Sequence, residues 1–230
     1  MNSDTKPKRF LLLLRMITQF GLGFALIGVL LFLSAGSFDF LNGWILIITL
    51  ALPMVIFGFA LFIKDPAVLS RRMRAKEPDK TQRAVVGISA LMFISSFILS
   101  GLNYRFSWPG VPFAVSIAAV VIMLTGYIMF AAVILQNSYA ARTVEVQENQ
   151  KVISTGLYAL VRHPMYTATL LLYIAMPFVL GSWIGFLPVA IYPFIIVRRI
   201  KNEEEMLRRE LDGYKEYTEK VKYRLLPYVW

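Results

Sequence analysis

"VPFAVSIAAVVIMLTGYIMFAAVIL", residues 111–135, contains no charged residue. An uninterrupted apolar stretch of about 18 residues or more, rising about 1.5 Å per residue, is long enough to cross the roughly 30 Å hydrocarbon core of a bilayer. Within that core every backbone N–H and C=O needs a partner in the chain, so the stretch reads as a transmembrane α-helix. Comparable runs occupy about 11–35, 41–63 and 84–102. A further apolar region, about 165–197, is too long for one helix. "LGSW" at 180–183 interrupts it, with Pro177, Pro188 and Pro193 nearby. Proline removes a helical donor and clashes with the preceding turn, which predicts two short helices folded as a broken hairpin. The expected fold is all-α: a polytopic membrane protein of about six transmembrane segments, the last two forming that hairpin, followed by a cytoplasmic C-terminal helix.

Charge agrees with this reading. Only 17% of residues are charged, against roughly 25% in an average soluble protein. The net charge of +10 falls in short connections rather than on a soluble face, so no nucleic-acid partner is expected. Between Lys64 and Arg83 there are seven basic residues and three acids, whereas 36–40 carries only Asp39 and 103–110 only Arg105. The positive-inside rule then places the N-terminus, the 64–83 loop, the 136–164 linker and the C-terminal tail in the cytoplasm. The first apolar run exceeds the about 7–15 residues of a signal peptide core and is expected to remain as a membrane helix. Without cysteine there is no disulfide, thiolate nucleophile or thiolate metal site, and no metal centre is expected. "GLGFALIG", 21–28, has Leu26 where a dinucleotide fingerprint needs glycine, and its glycines are expected to permit close helix packing.

Two polar segments, 136–166 and 198–230, flank the hairpin, so folding the hairpin brings them to one membrane surface. On a wheel of about 100° per residue with Ile200 at zero, Leu207 and Leu211 lie within about 20° and define an apolar stripe. Glu203 at about −60° and Glu204 at about +40° bracket that stripe, whereas Glu205 at about 140° points away. Arg199 lies one turn before Glu203 on the same flank, where the two can pair. A solvated exit helix accounts for such charges. Acids facing inward beside a membrane instead require a partner or a ligand.

"LVRHPMYTA", 160–168, holds the single histidine. It reads either as a structural residue at a helix start, or as part of a site in which the free N–H groups of the helix beginning at Pro164 face an anion. Tyr158 and Tyr166 flank it, as interfacial aromatics commonly do.

"GLYALVRHPMY" (156–166), "RIKNEEEML" (199–207), "GYKEY" (213–217) and "YRLLP" (223–227) together resemble the isoprenylcysteine carboxyl methyltransferases and their bacterial relatives. Membrane phospholipid N-methyltransferases share the R-H-P and E-E core. The resemblance covers about 136–230, a methyltransferase core. Residues 1–135 match only as membrane helices and are expected to serve substrate access. "LDGYKEY" and Thr167-Ala168 depart from the family pattern at positions that affect helix packing. The resemblance implies an enzyme that binds S-adenosyl-L-methionine without a Rossmann domain. It implies that Tyr158, His163, Pro164, Met165 and Tyr166 line the cofactor pocket, with Lys151, Val152 and Ile153 on its adenine side and Glu203 on a polar part. Gln147 or Gln150 stands for a family glutamine, and Arg199 falls at a catalytic position facing the substrate.

A carboxylate acceptor needs no base, because it is ionised at neutral pH. An amine acceptor must lose a proton, which makes Glu204 a candidate catalytic base. The expected partners are a lipidic or small amphipathic methyl acceptor and membrane lipids. The expected setting is the cytoplasmic membrane of a bacterium or archaeon, with the site facing the cytosol. Two other readings remain open: a non-catalytic transporter or scaffold, and a membrane reductase that binds a nicotinamide cofactor.

Overall fold

A computed structural model of the chain describes residues 9–73, 80–137, 139, 146 and 150–230. Its helices are α1 (Arg9–Ala35), α2 (Leu41–Lys64), α3 (Pro66–Arg72), α4 (Lys80–Arg105), α5 (Phe113–Gln136), α6 (Pro164–Val179), α7 (Trp183–Val189), α8 (Tyr192–Glu210) and α9 (Tyr214–Lys220), with a 3₁₀ turn at Gly156–Ala159. Five helical stretches are long and apolar enough to cross a membrane: Arg9–Ala35, Leu41–Lys64, Ala84–Arg105, Phe113–Gln136 and Trp183–Glu210. Pro164–Val179 is a shorter apolar helix. The molecule is therefore a polytopic all-α membrane protein. Among the described residues only one isolated bridge, Gly110 with Ser182, departs from helix and loop.

The hairpin folds where its punctuation lies. Gly181, at φ +74°, turns the chain between α6 and α7, and the Gly181 carbonyl accepts from Val111 N at 3.0 Å. The returning arm is itself in two pieces: α7 stops at Val189, and α8 restarts at Tyr192 with Pro193 in its first turn. The polar end of α8, 198–210, extends beyond the apolar stretch that ends at Val197.

Between 17% and 33% of the residues of the spanning stretches are buried, so their apolar side chains mostly face outward, as lipid requires. The central core joins Leu31 and Phe32 of α1, Leu46 of α2, Phe97 of α4, Met123 of α5 and Leu172 and Met176 of α6. A second cluster sets Val68 and Leu69 of α3 against Leu12, Leu61 and Ile134. That short helix, which the charge-rich 64–83 loop did not suggest, starts with Pro66 in its first turn and is capped by Asp65, whose carboxylate accepts from Val68 N at 3.0 Å.

The close-packing expectation for "GLGFALIG" is corrected. A Cβ at Gly21 or Gly23 would meet nothing within 4 Å, and one at Gly28 would make only ordinary contact. Among α1 and its neighbours, close approach occurs instead at Gly101 of α4, where a Cβ would run into Ser34 and lie 2.8 Å from the Leu31 carbonyl of α1.

Candidate functional site

At the end of the bundle where α5 stops and α6 starts, residues 150–153 and 158–166, the polar half of α8, and α9 converge on one cavity. It holds about 120 Å³ of room for water-sized groups within about 850 Å³ of empty space counted to its open mouth. Lys151, Val152, Ile153 and Gln150 form one wall, and Tyr158, His163, Pro164, Met165 and Tyr166 a second. Arg199 and Glu203 line it from α8. Every described residue named above for the cofactor or substrate therefore meets here, except Glu204. Gln147 lies outside the described residues.

The three glutamates part as the wheel predicts: Glu204 is buried, Glu203 is half-buried and Glu205 is exposed. Glu203 Oε2 accepts from the Tyr166 hydroxyl at 2.6 Å, and the same hydroxyl accepts from Arg199 Nε at 2.9 Å. The expected partnership of Arg199 with Glu203 thus runs through a phenol. Carboxylate, phenol and guanidinium form one chain along the cavity wall.

Glu204 does not line the cavity and faces a cluster of basic side chains. Arg162 Nε donates to its Oε1 at 2.7 Å, His163 Nε2 lies 3.3 Å from the same oxygen, and Arg224 Nε donates to Oε2 at 3.0 Å. Arg162 also donates to the carbonyls of Val221 and Lys222, at 2.9 and 3.2 Å. The N–H groups of Arg162 and His163 donate to the carbonyls of Tyr223 and Arg224, each at 2.9 Å. One carboxylate thereby fastens the R-H-P turn, α8 and the strap 221–225 together. The histidine adds its ring to that fastener and stacks on Tyr166 with centroids 5.7 Å apart.

Tyrosines close the far wall. Tyr217 donates to the Tyr158 carbonyl at 2.7 Å, and the Tyr158 hydroxyl accepts from Asn137 Nδ2 at 3.0 Å. Burial pushes the Tyr158 hydroxyl up to about 12, with the hydrogen bond from Asn137 acting against it. Burial raises Tyr214 and Tyr217 above the usual phenol range as well. The Tyr214 hydroxyl is buried in this wall with no hydrogen-bond partner among the described residues. A buried polar group left unpaired is uncommon enough to require a reason, and a ligand in the cavity is one.

Residue-by-residue reasoning missed Arg162, Asn137, Met206, Tyr214 and Tyr217. Arg162 and the two tyrosines sit inside the quoted stretches "VRHP" and "GYKEY", so the signal was present without a geometry to use it.

Residues 114–212 match the family model described as phospholipid methyltransferase. The match runs from α5 through α8 and stops short of α9 and the strap. Over 91 residues, 38% of this chain, the sequence is 26% identical to the Delta(14)-sterol reductase TM7SF2 of Mus musculus. The chain spans about a fifth of that relative's length, the aligned part being 22% of it.

Proposed function

We propose that the chain is an integral membrane methyltransferase that uses S-adenosyl-L-methionine to methylate the carboxylate of a lipidic, isoprenylcysteine-like acceptor. The observation that carries this reading is the convergence of 150–153, the R-H-P turn, Tyr158 and Glu203 on one cavity whose wall holds an unpartnered Tyr214 hydroxyl. Glu203 offers a carboxylate to the positive sulfur of the donor, while Lys151 and Arg199 in the same lining suit its carboxylate end. The cavity's room of about 120 Å³ is below the roughly 300 Å³ of small ligand pockets. Entry of a nucleoside-sized ligand therefore displaces part of the wall, where Met165 and Met206 are the adaptable side chains.

When bound, the donor supplies a methyl on a positive sulfur, transferred in line as the carbon–sulfur electron pair returns to sulfur. The protein aligns and dehydrates. Glu203 holds a polar part of the donor, Met165 and Leu207 exclude water, and Arg199 orients the anionic head of the acceptor. A carboxylate oxygen forms the new bond with no proton to remove. The geometry of Glu204 favours this over an amine acceptor, because a carboxylate bound by Arg162, His163 and Arg224 is engaged elsewhere. His163 and Glu204 act as positioning residues.

The sterol reductase likeness favours a second reading, a nicotinamide-dependent reductase. Thermal shift of the detergent-purified protein against S-adenosylmethionine, S-adenosylhomocysteine and NADPH separates the two: both adenosyl compounds stabilise it and NADPH does not. Stabilisation by NADPH alone would reverse the assignment. Arg199→Ala lowers acceptor use more than donor affinity, and methyl label appears in the lipid extract rather than in protein.

A further inference from the structure

A second cavity lies at the opposite end of the helices. Along α5, 24 residues long, the two ends are about 36 Å apart. It is lined by the start of α2, the end of α4, the start of α5 and the α6–α7 turn, and it holds about 410 Å³ of room for water-sized groups. Among the described residues no Asp, Glu, Lys or Arg lines it. A phosphate, carboxylate or ammonium would therefore be desolvated there without a counter-charge, which is costly.

Its polar groups are held in place yet incompletely used. Asn42 Nδ2 donates to the Val179 carbonyl at 2.7 Å and to Ser116 Oγ at 3.2 Å, which fixes the amide while its Oδ1 receives no donor among the described residues. Ser100 is 1% exposed and its Oγ has no partner among the described residues. Ser34 and Ser89, by contrast, donate to the carbonyl four residues back, and Ser96 donates to the Gly185 carbonyl. A hydroxyl both donates and accepts: it gives to Asn42 Oδ1, and takes from Ser100 once that hydroxyl, set against Gly185 of α7, turns toward the cavity that Ser100 lines. The rim is aromatic: Phe40 and Tyr104 stack at 4.7 Å, and Trp108 and Phe113 are exposed. Aromatic side chains of this kind mark the membrane–water interface, the level at which lipid headgroups sit.

We propose that this cavity binds the uncharged, hydroxyl-bearing headgroup of a membrane amphiphile, with its chain along the lipid-facing helices. It does not depend on methyl transfer at the other end. The test titrates 1-oleoyl-glycerol into the full chain in phosphocholine micelles, following thermal stability and tryptophan fluorescence. Oleate shares the chain with an anionic head, and glycerol shares the head without a chain. The expected result is a saturable stabilisation by 1-oleoyl-glycerol, about tenfold weaker in Ser100→Ala, with the fluorescence change lost in Trp108→Phe. Ser100→Ala removes an unpaired hydroxyl and should leave adenosyl-ligand binding unchanged. No saturable response, an equal response to oleate or glycerol, or an unchanged midpoint concentration in Ser100→Ala would each overturn the proposal.

Discussion

Glu203 and Glu204 are adjacent, yet the structure gives them separate partners, and under the proposed function replacing each by glutamine has separable, quantitative effects. Glu204→Gln keeps the shape and removes the charge that balances Arg162, whose side chain is 4% exposed. Arg162 then keeps only neutral acceptors, the glutamine oxygen and the backbone carbonyls, and an uncompensated buried charge costs about 3–5 kcal/mol. Arg224, with a side chain 28% exposed, can turn to water and adds little to that loss. Because the cluster is buried, added salt should not restore what the substitution removes. In Glu203→Gln the Tyr166 hydroxyl still finds an acceptor, so stability changes by about 1 kcal/mol or less. The lost hydrogen bond to a charged group weakens donor binding by about 1.5–3 kcal/mol, roughly ten- to a hundredfold. Unfolding by SDS in mixed micelles measures the first effect, and calorimetry with S-adenosylhomocysteine the second. A Glu204→Gln protein as stable as the parent, or a Glu203→Gln protein destabilised equally, would refute this division.

Gly101→Ala should overpack α1 against α4 and cost about 1–3 kcal/mol, whereas Gly23→Ala, in open space, should leave the unfolding midpoint unchanged or slightly raised. The raised Tyr158 hydroxyl, about 12 against an ordinary 10.0, stays protonated longer in the folded state. Its stabilisation is therefore complete below about pH 10 and lost as pH climbs through about 12; tyrosinate absorbance tracks the step, and an unchanged alkaline profile in Tyr158→Phe would contradict it. Asp65→Ala removes the cap of α3 and should lower stability by about 1 kcal/mol, with the loss absent in Asp65→Asn.

The spans were legible because crossing a membrane demands only length and apolarity, and both are local. The sides taken by Glu203, Glu204 and Glu205 followed from helical period and one apolar stripe. Which partner awaited Glu204 was not legible. Arg162 is 42 residues away and Arg224 is 20, and both are brought in by a non-helical strap whose path has no period to read. Glu204 consequently looked like a base when considered alone and looks like a fastener once the strap is in place. Helix α3 was missed because Arg71 and Arg72 drew attention from Asp65-Pro66, a start signal, and from the apolar pair Val68 and Leu69 that follows it. The glycines near position 21 were misassigned for a related reason: spacing shows that helices could approach closely, and only the neighbour shows that they do.

Helix α8 has one further consequence. It runs without a break from Tyr192, buried among apolar side chains, to Glu210 at the polar end, and from Ile196 to Glu203 it rises about 10 Å. Such a rod is a depth gauge. Under the proposed function, an acceptor anchored by its hydrocarbon would present its reactive atom at a height set by the stalk between chain and head, and only one matching the level of Arg199 would meet the donor. Selection among amphiphiles would then depend on stalk length as well as head chemistry, with bilayer thickness, which moves the anchor against the rod, as a control on which acceptors react.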